Sequence, residues 1–394
     1  MRKGAEQTFA AGTPSLLRAM NERTVLEWIR SVGPLSRAQI ARRSGLSKPT
    51  VSQALMALER SALVREAGRT SGGKGPTAVL YELNPRAGWV VGIDVGRRWV
   101  RAAIADLTGE IAARHDERTK AAGARTLIAQ VGGAAHALAA EAGIDWKQVT
   151  VATVGSAGVL EPSSGQVAHA HNLPGWGRPG LLEALRAELG TNVTFENDVN
   201  LAAMGERWRG LGKEVDHFVY LHIGTGVGMA LVLNGELFRG ATGAAGEVGY
   251  LPLAVADVHD PAGRRRGALE GAVGAAGVVA AARAAGMRAT LSAKGVFTAA
   301  RKGDAVALSV VGTVAERIAL AIAAVVPVVD PELVVLGGGI GRNGDLLLDP
   351  LERELREISP FHPRIEVSAL GEDAELQGAV ALALRSAQDR LFER

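Results

Sequence analysis

Between residues 14 and 60 apolar side chains recur every three or four positions, and beyond residue 88 they gather into continuous runs broken by glycine. The first pattern is helical, and the second is that of buried strands. Leu16, Leu17 and Met20, followed by Val25, Leu26 and Ile29, predict one helical stretch. Thr13-Pro14 opens it, an N-cap with proline at the first helical position, and Gly33-Pro34 closes it. Ser36 to Gln39 (SRAQ) is a capping box that predicts a short helix burying Ile40 and stopping at Ser44-Gly45. Ser47 caps the next helix, Lys48 to about Arg60, where Pro49 is tolerated because first-turn amides have no helical partner to lose. After Leu63-Val64, the stretch Gly68 to Pro76 (GRTSGGKGP) precedes Val79 to Leu83 (VLYEL), predicting two strands around a glycine-rich, basic tip. Asn84 to Gly88 (NPRAG) reads as a short linker.

Trp89 to Gly96 (WVVGIDVG) is then an apolar strand, Trp99 to Leu107 a second, Thr108-Gly109 a turn, and Glu110 the start of a third. The same order returns over Phe218 to Leu237, with FVYLHIG, the remainder of a GTGVG loop, MALVLN and a turn at Gly235-Glu236. Alanine-rich helical segments lie at Leu127 to Ala142, Leu181 to Leu189 and Val306 to Val325. Two strand–glycine–strand–turn units predict a duplicated α/β architecture with a cleft between the halves. Ligands of such sheets sit outside the strand ends, where glycines let backbone amides approach an anion or a hydroxyl closely.

At 394 residues the chain exceeds one compact core and predicts two or three domains. Its 47 % apolar and 22 % charged residues are those of an ordinary soluble globular protein. Cysteine is absent, which excludes disulfides, thiolate catalysis and cysteine-ligated zinc. Ile318 to Val329 is too short a run to cross a bilayer, and no charged-then-apolar-then-small export signal begins the chain. A cytoplasmic protein with no membrane partner is expected. Net charge is only +3, yet residues 1–88 hold 14 Lys/Arg against 6 Asp/Glu, a balance of +8 that leaves −5 for the rest. A basic head on a mildly acidic body predicts that the head meets a polyanion.

The Lys48 helix has the chemistry for it. Val51, Leu55 and Leu58 share the face to be buried, while Lys48, Thr50, Ser52 and Gln53 crowd the opposite face near the N-terminal end. A recognition helix in a DNA major groove needs its N-terminus toward phosphates and its first turns at base edges. Gln53 can bind adenine bidentately, and Lys48 can reach guanine or phosphate. Arg69 and Lys74 on the wing suit phosphates or a minor groove. Double-stranded operator DNA is the expected partner of this winged helix–turn–helix; a three-helix bundle with a polar outer face is the alternative.

Further on, Gly155 to Gly158 (GSAG) leads to Asn172 to Trp176 (NLPGW), Glu196 to Asn200 (ENDVN), Gly224 to Gly228 (GTGVG) and Gly246 to Tyr250 (GEVGY). In this order and spacing the motifs resemble the ROK family of repressors, open reading frames and sugar kinases, over nearly the whole chain. The basic head looks like the regulator branch. The resemblance implies an α/β fold: an actin-like two-lobed ROK domain preceded by an α+β winged helix-turn-helix domain. The head and linker would occupy 1–88, the first lobe 89–205, and the second lobe with the C-terminal helices 206–394. It further implies a sugar site at Gly158, Asn172, Asn197, Asp198, Glu247, Tyr250 and Glu270, the last in GALE, which resembles the family's Gly-Cys-Leu-Glu. Carboxylates and amides suit a ring of hydroxyls because they accept and donate bidentately. In a family kinase the residue matching Asp198 is the general base. Asn200 reads instead as a structural residue.

Two departures shape the functional expectation. Where the family's zinc site has a histidine and three cysteines, this chain has Tyr250 and Arg264 to Arg266, so no metal is expected there. In the first phosphate loop Arg97 and Arg98, followed by Trp99, replace a small glycine and a threonine or serine, filling space that ATP phosphates need. No enzyme and no cofactor are therefore expected. The expected function is a repressor-like transcription regulator, a dimer or tetramer, that answers to a sugar or sugar phosphate without phosphorylating it. Asp94, Asp198 and the Gly224 to Gly228 loop keep open an ATP-dependent sugar kinase fused to a DNA-binding domain. A third reading is an architectural DNA-binding protein with a ligand-free dimerisation domain. Gly337 to Gly341, His169 and His171 are read as structure.

Overall fold

A computed structural model describes residues 14–70, 77–120, 123–161, 164–168, 170, 173–253, 259, 261–288 and 292–391. Thr13, Lys74, His169, His171 and Asn172 lie outside the described residues. The head comprises α1 (Pro14–Val32), β1 (Leu35–Ser36), α2 (Arg37–Ser44), α3 (Lys48–Arg60), β2 (Val64–Arg69) and β3 (Val79–Leu83). Val25, Leu26 and Ile29 of α1 are buried, but Leu16, Leu17 and Met20 are exposed, so its apolar stripe is covered over only half its length. The predicted capping box is present: the Ser36 hydroxyl accepts from the Gln39 amide, and the Gln39 side chain accepts from the Ser36 amide. Gly45 ends α2 at φ 70°, a left-handed position where a Cβ would be strained. The three strands pair antiparallel in the order β1-β3-β2.

The first lobe contains β4 (Trp89–Val95), β5 (Trp99–Asp106), β6 (Ile111–Arg118), α4 (Ala124–Glu141), β7 (Val149–Ser156), the short β8 (Val159–Leu160) and β9 (Val167–Ala168), α5 (Leu181–Leu189) and β10 (Asn192–Asn197). Helix α6 (Asp198–Arg209) leads to β11 (Phe218–Ile223), β12 (Val227–Leu233), β13 (Glu236–Phe238), α7 (Pro261–Arg266), α8 (Ala268–Val273), α9 (Ala275–Ala284), α10 (Ala293–Arg301) and α11 (Ala305–Val329). The chain ends with β14 (Leu333–Gly337), α12 (Gly338–Gly341), α13 (Gly344–Ile358), β15 (Arg364–Val367) and α14 (Ala374–Leu391).

The two large sheets have one topology. Reading β6-β5-β4-β7-β10 in the first and β13-β12-β11-β14-β15 in the second, an antiparallel meander is followed by two parallel strands. The duplication read from the two glycine-broken strand units is thus a duplication of whole sheets. Pairing matches as well: Asp94 lies opposite Arg101 in one meander and His222 opposite Gly228 in the other.

Helix α14 packs on the first-lobe sheet and on α6, although chain order places it after the second lobe. Its approach is close: a Cβ on Gly92 of β4 would come within 2.6 Å of the Val380 amide nitrogen. One apolar cluster joins Val25, Leu55 and Tyr81 of the head to Val90 and Leu107 of the first lobe and to Leu376, Val380 and Leu384 of α14. The run Ile318–Val329 is the second half of the 25-residue α11, which by length and composition alone could cross a membrane, contrary to the sequence expectation. Half of its most apolar stretch is buried; Val314, Ile318 and Ile322 sit in the second-lobe core.

Candidate functional site

In the head, α3 turns Val51, Ala54, Leu55 and Leu58 inward. Lys48 and Gln53 are exposed, and Thr50 and Ser52 are half-buried. Ser47 accepts from the Thr50 amide at 3.2 Å, and its hydroxyl lies 2.7 Å from that of Thr50, so Thr50 shares in the cap. Arg69 is exposed at the end of β2, where the Thr70 amide donates to Ala78 O at 2.8 Å and closes the base of the wing. Arg37 donates to the buried Tyr81 hydroxyl and ties α2 to β3.

In the body, a cleft of about 1170 Å³ takes its lining from both lobes. Gly158, Asn197, Asp198, Glu247, Tyr250 and Glu270 all line it. Asn197 is the N-cap of α6: its Oδ1 accepts from the amides of Val199 and Asn200, and its Nδ2 donates to Gly158 O at 3.0 Å. Asn197 therefore has a structural role as a cap, and much of its hydrogen-bonding capacity is already used. Asn200 is buried and donates to Glu196 Oε1 at 2.8 Å. Glu270 accepts from the Val227 amide at 3.1 Å and so holds the GTGVG loop. Asp198 stands in the first turn of α6, where burial pushes its pKa up while His222 opposes the shift.

Around the first hairpin of the body, residues that are neighbours in sequence part company in the structure. Arg97 lines the cleft, but Arg98 is not among the lining residues. Asp94 is buried at 4 % exposure and does not line the cleft either; Arg101 donates to it at 3.1 Å. Burial raises the Asp94 pKa to about 6 against the pull of Arg101. Arg101 also lies 3.8 Å from Asp116 and 3.4 Å from Glu372, which Arg342 holds at 2.8 Å, and Arg114 binds Asp373 at 2.9 Å. A chain of ion pairs thus ties β5 and β6 to the segment just before α14.

Sequence reasoning overlooked Arg101, His222 and Glu375. The hairpin register was the signal for Arg101, since a strand pair turning at Gly96 to Arg98 sets positions 94 and 101 face to face. His222 lines the cleft, with Nδ1 3.9 Å from Glu375 Oε1. Burial lowers the His222 pKa and, with Asp94 adding to it, raises Glu375 to about 8. No local signal pointed to Glu375, which reaches this place only because α14 returns to the first lobe.

Residues 90–386 match the ROK family, and residues 18–73 match the MarR family. A xylose repressor from Caldicellulosiruptor bescii is 26 % identical over 392 residues, covering 95 % of this chain and 97 % of that protein. A glucokinase from Halalkalibacterium halodurans is 30 % identical over 311 residues, covering 74 % of this chain and 93 % of the other. Among solved structures, a ROK family transcriptional regulator, described as a homolog of the E. coli MLC protein, superposes with a TM-score of 0.79 at 22 % identity, over 96 % of this chain and 98 % of that one. A ROK hexokinase from Thermus thermophilus gives a TM-score of 0.66 at 28 % identity, over 76 % and 99 %. With most of its length matched and the duplicated sheets in place, the chain belongs to the ROK family and carries a MarR-type winged head before its ROK domain.

Proposed function

We propose that the protein is a sugar-responsive transcriptional repressor whose kinase-like body binds a sugar or sugar derivative without phosphorylating it. The observation that carries this reading is the single apolar core shared by the head, the first-lobe sheet and α14. A movement of the lobes around a ligand is thereby passed to the DNA-binding helix through packed side chains. The xylose repressor that this chain matches along 97 % of that protein's length supports it.

In this reading Lys48, Thr50, Ser52 and Gln53 meet base edges, and Arg69 and Lys74 meet phosphates, with two heads of a dimer on one operator. Asp198, Glu247 and Glu270, with Gly158, Asn172, Asn197 and Tyr250, hold the sugar hydroxyls. Arg101 takes up Asp94, and Arg97 stands where family kinases keep glycine. Both features count against phosphoryl transfer. One observation favours the second reading, a sugar kinase: Asp198, with its raised pKa, lines the cleft together with the Gly224 to Gly228 loop.

Fluorescence anisotropy of the chain on its own upstream DNA, at fixed salt and over a sugar panel, tests the regulator reading. One sugar should shift the DNA affinity. If DNA binds and no sugar shifts it, the head is only an anchor. Sugar-dependent ADP release at ordinary enzyme rates would establish the kinase instead.

A further inference from the structure

The cleft carries two kinds of charge, and a neutral sugar accounts for only one. Asp198, Glu247 and Glu270 suit hydroxyls, but Arg97, Arg265 and Arg266 line the same cleft. All three arginines are exposed, and among the described residues none has an ion pair or a side-chain hydrogen bond to a protein group. By contrast Arg101 and Arg342, which do not line the cleft, are each held by carboxylates.

Their placement matters more than their number. Arg97 belongs to the turn between β4 and β5 of the first lobe, whereas Arg265 and Arg266 end α7 in the second. Closing the lobes brings like charges on opposite lips nearer together, and that is unfavourable while they stay unpaired. An anion within the cleft reverses the sign of this contribution, because guanidinium groups bind phosphate or carboxylate bidentately. There is also room for it: the cleft of about 1170 Å³ exceeds the span of roughly 300–1,000 Å³ usual for small-ligand sites.

We propose that the effector is an anionic monosaccharide derivative, its hydroxyls on the carboxylate wall and its phosphate or carboxylate group on Arg97, Arg265 and Arg266. This rests on the sugar-binding reading above and narrows it. The anion then acts as the closing signal, and the neutral parent sugar binds more weakly and closes the lobes less.

Isothermal titration of the full chain tests it, with aldoses and amino sugars, their terminal phosphates and their sugar acids, at low and high salt. The expected result is a phosphate or acid form binding at least about tenfold more tightly than its neutral parent, with the preference shrinking as salt screens the exposed guanidinium groups. Arg97→Ala and the double variant Arg265→Ala/Arg266→Ala should each lower that ratio, and lysine at the same positions should restore part of it. The phosphate and acid arms separate the two sources of the charge. A neutral sugar binding as tightly as its anionic forms overturns the inference and leaves the sugar reading standing. So does an anion preference that survives in both arginine variants. If inorganic phosphate or ATP competes and no sugar binds at all, the sugar reading falls and the inference with it.

Discussion

Arg30 in the first helix donates to Gln388 in the last at 2.9 Å, across 358 residues of sequence. Arg23 approaches Asp389 at 3.6 Å beside it. The opposite end of α14 places Glu375 within 3.9 Å of His222 in the cleft wall. An 18-residue helix, about 27 Å long at the usual rise, therefore touches the winged head at one end and approaches the wall of the interlobe cleft at the other.

Arg30→Ala and Gln388→Ala should leave thermal stability almost unchanged, because exposed polar pairs contribute only about 0–1 kcal/mol. Both variants should blunt the effect of a bound sugar on DNA affinity. Anisotropy titrations with and without effector read this directly. A full response in both variants would show that coupling runs elsewhere.

Arg101→Ala strands Asp94 in the first-lobe core without its cation. Removing one partner of a buried ion pair costs about 3–5 kcal/mol, and urea denaturation should show a loss of that order. Adding Asp94→Asn should recover much of it, since the uncompensated charge is then gone. Equal losses in the single and double variants would mean that Arg101 acts through packing alone.

The buried carboxyls make a prediction about pH. Glu375 and Asp94 are raised to about 8 and about 6 by burial and by their carboxylate neighbours, so the folded state binds protons more tightly than the unfolded chain. Their stabilising contribution is present at low pH and is lost as pH rises through the folded values. The melting temperature should fall between about pH 5 and about pH 8 from this source, and Glu375→Gln should flatten the fall and gain about 2 °C or more at the upper end. A calorimetric pH series that is parallel in variant and parent would refute it.

Gly378→Ala probes the contact between α14 and α6. The new Cβ would lie 1.7 Å from the Leu201 carbonyl oxygen, backbone against backbone, so the helices must separate. A loss of about 1–3 kcal/mol is expected. Gly133→Ala in α4, with nothing within 4 Å, should instead stabilise by up to about 1 kcal/mol. Thermal melts showing no difference between the two would contradict the packing described.

Gln53→Ala should weaken operator binding and reduce discrimination at one base pair by about 1–3 kcal/mol, while Lys48→Ala should weaken binding to all sequences alike if its contact is a phosphate. Competition titrations with single-base operator variants separate the two outcomes.

Local chemistry was enough to determine much of this protein. Caps at Ser36 and Ser47, the left-handed stop at Gly45 and the glycine-broken strand units are set by neighbours within a few residues, so the helices of the head and the repeated meander could be read before any packing was known. The lining positions Asp198, Glu247 and Glu270 were legible because each sits in a short motif at a strand or helix end. Tertiary structure alone decided what those groups face. Asp94, which in the sequence keeps the kinase alternative open, is paired with a cross-strand arginine, and Asn197 spends much of its hydrogen-bonding capacity as a cap. Arg97 remained at the cleft while Arg98 did not. The return of α14, which joins cleft to head, has no signature in sequence, because the helix is amphipathic in the same way whether it packs on the second lobe or the first. Burial and long-range pairing depend on which surfaces meet, and that is settled only by the whole chain at once.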